Sequence, residues 1–257
     1  MLLVTWNVNS LRVRLPRVLE LLEKHRPDAL LMQETKVDPG AFPHAELEAA
    51  GYRAADHSGG RWAGVAIAAR AELGVAGVRT GLPGEPDAAE ARWIEADVAG
   101  VRLTSVYVPN GREVGSPTFA AKLAFLDAMA GRATDLAAGP AMISGDMNVC
   151  PTDADVYDPA AFVGATHVTP EERAGLARVL AAGLVDSYRH LHPDAPGFTW
   201  WDYRQGHFHR GLGLRIDLVL VTEGLAPRLR SCGIDRDFRK GPKPSDHAPL
   251  LVELGDL

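Results

Sequence analysis

With 257 residues, 46% hydrophobic and 23% charged, the chain has ample material for a packed core and excludes wholesale disorder. No apolar run approaches the roughly 20 residues that span a bilayer, and the first residues lack the basic region and small-residue cleavage site of a secretory signal. Two cysteines, Cys150 and Cys232, make no disulfide framework, so the expected setting is a reducing cytoplasm with no membrane association.

In chain order, residues 2–8 read as a strand, followed by a helix capped by Ser10 or a neighbour. Pro16 sits early in that helix, Val18, Leu19, Leu21 and Leu22 form its apolar stripe, and Pro27 stops it. Residues 28–33 are a short buried strand, and further strands are expected at 64–69, 93–98, 101–108, 141–145, 216–221 and 249–254. The Ala99-Gly100 break predicts an antiparallel hairpin, whereas the first strand-helix-strand unit reads as a crossover. Helical patterns cover 119–137 and 170–182, the second opened by Thr169-Pro170-Glu171-Glu172. Mixed pairing predicts α/β architecture with mixed sheets, and one domain over 1–257, since no linker or repeat interrupts it. The polar loop at 151–168 is long enough to carry recognition.

Asn7 ends the first strand and Glu34 the second, so both can converge at one sheet edge and offer oxygen to a hard cation. Singly, each is as easily a turn asparagine or a surface acid. Asp146 and Asn148 follow an apolar strand two residues apart, which in extended chain puts them on one side. A carboxylate and an amide so placed can activate water and bind a developing oxyanion. Asp217 opens another strand, and Ser245-Asp246-His247 precedes the last one, where a histidine can donate to a phosphoryl oxygen.

Charge pulls the other way. A net charge of −6 disfavours a nucleic-acid partner, because phosphate binding calls for a basic face. A carboxylate site that holds a metal accounts for part of it. Basic residues also gather at Arg12, Arg14 and Arg17, and again at Arg236, Arg239, Lys240 and Lys243.

Taken together, seven blocks resemble one family along nearly the whole chain. They are Thr5-Trp6-Asn7-Val8-Asn9-Ser10-Leu11-Arg12, Gln33-Glu34-Thr35-Lys36, Tyr107-Val108-Pro109-Asn110-Gly111 and Gly145-Asp146-Met147-Asn148-Val149-Cys150-Pro151-Thr152-Asp153. Gly183-Leu184-Val185-Asp186-Ser187-Tyr188-Arg189, Leu214-Arg215-Ile216-Asp217 and Ser245-Asp246-His247-Ala248-Pro249 complete them. The chain resembles the exonuclease III type of abasic-site endonuclease, within the endonuclease/exonuclease/phosphatase superfamily.

The resemblance implies a four-layered α/β sandwich of two packed mixed sheets flanked by helices, like deoxyribonuclease I. It implies Mg²⁺ or Mn²⁺ as cofactor, with Asn7, Glu34, Asp146, Asn148, Asp246 and His247 around the metal. Catalytic roles fall to Asp146 on the attacking water, Asn148 in its support, Tyr107 on the scissile phosphate, His247 on a phosphate oxygen, and Asp217 and Asp246 in the acidic cluster. The implied activity is incision of duplex DNA 5′ to abasic sites, with 3′→5′ exonuclease and 3′-end cleaning, by a monomer. DNA contacts are expected from Asn110, Arg112, Tyr188 and the tryptophan block 198–203, where either Trp200 or Trp201 would wall the pocket for a baseless sugar.

Other branches of the superfamily cleave inositol lipids, sphingomyelin or RNA tails, so the shared core speaks for phosphoester cleavage more firmly than for substrate. The tryptophan, Tyr107 and Met147-Asn148 contexts favour the DNA-repair branch. A silent scaffold on the same fold would have lost a catalytic position, and none is lost here. The chain departs from the family at 207–213, which puts contacts there in doubt. His190/His192 and His207/His209 lack the acidic or cysteine partners of a zinc site, and Cys150 reads as a small buried thiol.

Overall fold

Strand β1 (Leu2–Asn7) feeds helix α1 (Leu11–His25), which returns the chain to β2 (Ala29–Gln33), α2 (His44–Ala49), β3 (Tyr52–His57) and β4 (Val65–Arg70). There follow β5 (Ala76–Thr80), β6 (Trp93–Val98), β7 (Val101–Tyr107), α3 (Pro117–Leu136), β8 (Ala141–Asp146) and α4 (Pro170–Ala181). The last part holds β9 (Leu184–Asp186), α5 (Ser187–Leu191), α6 (His207–Arg210), β10 (Asp217–Thr222), β11 (Leu229–Ile234) and β12 (Leu250–Leu254). The structure, a computed structural model, describes residues 1–255.

Two six-stranded sheets result, ordered β11-β12-β1-β2-β4-β3 and β5-β6-β7-β8-β10-β9. Each is mixed: β1 pairs in parallel with β2, and β7 with β8, while their other neighbours run antiparallel. The expected four-layered sandwich is what forms, and side-chain alternation explains it. Leu3, Leu31, Leu103 and Val219 point between the sheets into a shared core. Their neighbours Val4, Trp6, Leu30 and Met32 point outward against Leu11, Val18, Leu21 and Leu22 of α1. On the opposite face Ile143, Leu218 and Leu220 meet Phe125, Leu126 and Met129 of α3 and Leu176 and Val179 of α4.

The hairpin at 93–107 forms as expected, with Val98 opposite Val101. Ala99 and Gly100 both take positive φ, 47° and 79°, the handedness that suits a two-residue turn between twisted strands. Ser10 does precede α1, but at φ 88° its side chain makes no cap. The backbone amides of Ser10 and Leu11 donate instead to the carbonyls of Glu34 (2.7 Å) and Thr35 (2.8 Å). The start of α1 is thereby tied to the loop that carries Glu34.

Candidate active site

Asn7 closes β1, Glu34 follows β2, Tyr107 closes β7 and Asp146 closes β8. Because β1 and β2 run in parallel, Asn7 and Gln33 lie side by side, which sets Glu34 next to Asn7. The same logic pairs Tyr107 with Asp146, and the antiparallel β10 places Asp217 opposite Asp146. His247 enters just before β12, whose first residues pair with the end of β1. One edge of both sheets therefore collects these groups.

Below that edge the two sheets are pinned together. Buried Gln33 Nε2 donates to Thr5 Oγ1 (3.0 Å) in its own sheet and to Ser105 Oγ (2.9 Å) in the other. Ser105 Oγ in turn donates to the Met32 carbonyl at 2.9 Å. This cross-link fixes the distance between the halves of the site.

Asn7 Nδ2 lies between the carboxylates, 2.8 Å from Glu34 Oε1 and 2.9 Å from Asp146 Oδ2. Lys36 Nζ pairs with Glu34 Oε2 at 2.6 Å and donates to Asn9 Oδ1 at 2.6 Å. Asp146 Oδ1 accepts the Asn148 backbone amide at 2.9 Å. His247 Nδ1 sits 2.8 Å from Asp217 Oδ2, leaving Nε2 to face Asp146 Oδ2 at 3.7 Å. Burial raises the Asp146 carboxyl against the counter-pull of His247, and with Asp217 and Glu34 adding to the rise it reaches about 7. Burial alone would lower the His247 imidazole, yet Asp217 and Asp146 lift it to about 10. Tyr107 is held well above the ordinary phenol range by burial, then by the charges of Glu34 and Asp146, so it remains a neutral donor. Arg92 lies 4.7 Å over its ring.

Ligand atoms of Glu34, Asp146 and His247 come within 4.8 Å of one another. The carboxylate oxygens there fit a hard divalent cation. Asn7, expected as a ligand, instead turns its amide Nδ2 to both carboxylates and its Oδ1 to the Asn9 amide (3.0 Å), so it orders them and adds no ligand oxygen. The histidine fits less well, because a protonated imidazole offers no free lone pair and suits a phosphoryl oxygen better. Asp246 stands apart from this group. Its Oδ1 accepts from Asn9 Nδ2 and its Oδ2 from Trp200 Nε1, both at 3.0 Å, so it braces the rim. Asn148 is clamped too, at φ 50°, with Nδ2 donating to the Val108 carbonyl (2.9 Å) and Oδ1 accepting from Asn110 Nδ2 (3.1 Å).

Two expected DNA contacts are corrected. Trp201 is only 1% exposed, wedged edge-on against Phe208 and close to Gly213, where even a Cβ would clash with its indole nitrogen. Tyr188 packs in the core between the sheets, and its hydroxyl donates to the Pro196 carbonyl at 3.0 Å. Neither ring faces the catalytic edge. Trp200 does: its backbone bridges to Leu214 and His247, and its part-exposed ring donates through Nε1 to Asp246. Asn110 and Arg112 line an open groove with Glu34, Lys36, Trp62 and Tyr107.

Sequence reasoning overlooked Lys36, Asn9 and Arg92 as site residues. Lys36 was legible in principle, since the Gln33-Glu34-Thr35-Lys36 block sets a cation two residues from Glu34. The two basic clusters, remote in sequence, meet on one rim: Arg14 donates to the Pro244 carbonyl (3.2 Å) and Arg17 to that of Lys240 (3.1 Å).

Residues 4–247 match the Endonuclease/Exonuclease/phosphatase family. The chain belongs to that family. Among family members, exodeoxyribonuclease III of Haemophilus influenzae is 36% identical over 266 residues, covering 98% of each chain. A solved 3′ phosphatase from Neisseria, bound to product DNA hairpin, superposes with a TM-score of 0.96 at 40% identity, covering 99% of each chain. An AP endonuclease from Archaeoglobus fulgidus gives 0.95 at 35% identity, again over 99% of both. No helix among the described residues is long and apolar enough to cross a membrane.

Proposed function

We propose that this family member hydrolyses phosphoesters of duplex DNA, incising 5′ to abasic sites and processing 3′ ends with the same catalytic set. It is a DNA-repair nuclease, a hydrolase that works as a cytoplasmic monomer. The observation that carries the reading is the buried Asp146 between Asn7, Asn148 and His247, at an edge where oxygen donors from both sheets converge. Both activities are kept because relatives named for each are similar over the whole chain.

Glu34 and Asp146, ordered by Asn7 Nδ2, would hold Mg²⁺ or Mn²⁺, which when bound neutralises charge on the phosphoryl group and its leaving oxygen. Asp146 Oδ2, which faces His247 Nε2 and Asn7 Nδ2, accepts a proton from the attacking water. Its other oxygen is fixed by the Asn148 amide, so the base does not swing. His247 presents Nε2–H to a phosphoryl oxygen, and Asp217 at Nδ1 fixes the ring. Neutral Tyr107 donates to a second oxygen. Trp200, part-exposed beside Asp246, walls the sugar site, and Asn110, Arg112 and the basic rim follow the backbone.

The test uses two duplexes with Mg²⁺, with Mn²⁺ and with EDTA. One carries a tetrahydrofuran abasic mimic and the other a 3′-phosphate at a nick. Metal-dependent cleavage 5′ to the mimic and release of inorganic phosphate are expected, both abolished by EDTA. Failure of both reactions in either metal would sink the proposal, and hydrolysis of an inositol phosphate instead would move the chain to another branch.

A further inference from the structure

Lys122 is fully buried on α3, and it touches no metal-site carboxylate. Its Nζ faces four acceptors: the Asn148 carbonyl at 2.6 Å, the Asn110 carbonyl at 3.2 Å, Thr166 Oγ1 at 3.2 Å, and the equally buried Glu172 carboxylate on α4. Glu172 is held by the helix start itself, accepting from the Thr169 amide (3.0 Å) and hydroxyl (2.8 Å) in a capping box. It also accepts from Thr166 Oγ1 (2.6 Å) and the His167 amide (2.9 Å), while His167 Nδ1 lies 2.6 Å from the Asn148 carbonyl.

A buried ion pair is an expensive way to hold two helices together, since apolar packing of equal volume does so without desolvating charge. What apolar packing cannot do is hold a backbone carbonyl. Asn148 is in the left-handed region at φ 50°, where a non-glycine residue stays only if its surroundings fix it. Its amide and side chain are tied to Asp146, Val108 and Asn110, and Lys122 with His167 fixes the remaining group, the carbonyl. Gly111 shows how closely the pieces fit, since a Cβ there would lie 2.9 Å from Lys122 Cδ.

We propose that the buried Lys122–Glu172 pair is a positioning device that fixes Asn148 and Asn110 for phosphoester hydrolysis, acting through Asn148 without touching substrate. The idea rests on the role given to Asn148 in the proposed function.

The test is a double-mutant cycle of Lys122→Met/Glu172→Gln against Asn148→Ala, read as kcat and KM on the 3′-phosphate duplex. Removing both charges together leaves no unpaired ion. The pair variant should fold cooperatively and lose kcat about 10-fold or more with KM within about 2-fold, as expected when a group acting only in the transition state is displaced. Adding Asn148→Ala should cost little further, because both changes remove one function. Lys122→Arg, which keeps the charge, should recover part of kcat. If the pair variant does not fold, Thr166→Val decides, with the same sub-additive loss expected. An unchanged kcat, or losses that multiply with Asn148→Ala, would overturn the proposal while leaving the site reading intact. Asn148→Ala keeps the backbone amide on Asp146 but cuts the side-chain ties to Val108 and Asn110. Full kcat in that variant would show that a fixed Asn148 backbone is not needed, and would remove this inference while leaving the Asp146 reading in place.

Discussion

Asp217 Oδ2 lies 2.8 Å from His247 Nδ1, both groups are buried, and the bond joins β10 of one sheet to the segment before β12 of the other. An acceptor at Nδ1 keeps a proton there and aims Nε2 at the catalytic edge. Asp217→Asn preserves shape but replaces the anion, so the imidazole loses the charge that holds it protonated. A fall in kcat of at least ~10²-fold is expected on either duplex, with the fold kept. Single-turnover rates check it, and a rate within 3-fold of wild type would show that the Asp217 charge is not what keeps His247 active.

Trp200 and Trp201 are adjacent yet do different work. Trp201→Ala empties a packed site and should cost about 3–5 kcal/mol of stability, read by urea unfolding. Trp200→Ala should leave most stability in place and lower kcat/KM on the abasic duplex, because its part-exposed ring donates to Asp246, next to His247 in the chain. The reverse pattern would place Trp201 at the sugar.

Ser105→Ala removes one acceptor of Gln33 Nε2, which keeps Thr5 Oγ1 and the Leu31 carbonyl, and a donor to the Met32 carbonyl. Each lost bond costs about 0.5–1.5 kcal/mol. Because the lost bonds join the sheets directly beneath the site, kcat should fall together with stability. A stability loss with unchanged kcat would mean that the cross-link is not what sets the geometry above it.

Glu95 on β6 accepts from Arg132 (2.7 and 2.8 Å), Arg102 (3.0 Å) and Trp93 Nε1 (2.9 Å). Burial alone would raise this carboxyl, but Arg132 and Trp93, helped by Arg102, outweigh it and hold it at about 2. A folded value below the ordinary 4.5 means that the stabilisation is complete above about 4.5 and is lost as pH falls toward 2. Melting temperatures should show Glu95→Gln less stable than wild type at pH 7, with the gap closing between about 4.5 and 2. A gap independent of pH would assign the effect to packing.

Several features of this fold were legible in the residue order, and the reasons differ. The strands at the centre of each sheet announce themselves as apolar runs, because both of their faces are buried: β2, β4, β8 and β10 are examples. Sequence reading missed β3, β5, β9 and β11, which are the four edge strands. An edge strand is open to solvent along one side, and β5 is exposed at every residue, so such a strand is defined by hydrogen bonds to a neighbour that no local pattern encodes.

For the site, the chain itself supplied the acids and amides at strand ends, and Asp146 with Asn148 stood out by spacing alone. The extended chain expected there ends at Asp146, however, and what brings the two together is a left-handed turn at Asn148 (φ 50°) closed by its amide on Asp146 Oδ1. Which of them touch was a tertiary decision. Asn7 comes to Asp146, and Asp217 to His247, only because parallel and antiparallel pairings bring distant strand ends to one edge. Burial settled the rest: it separated Trp200 from Trp201 and moved Tyr188 into the core. It also converted Lys122, one of five lysines in the sequence, into a buried charge behind Asn148. Desolvation depends on what surrounds a side chain in three dimensions, so residue order alone could not reveal it.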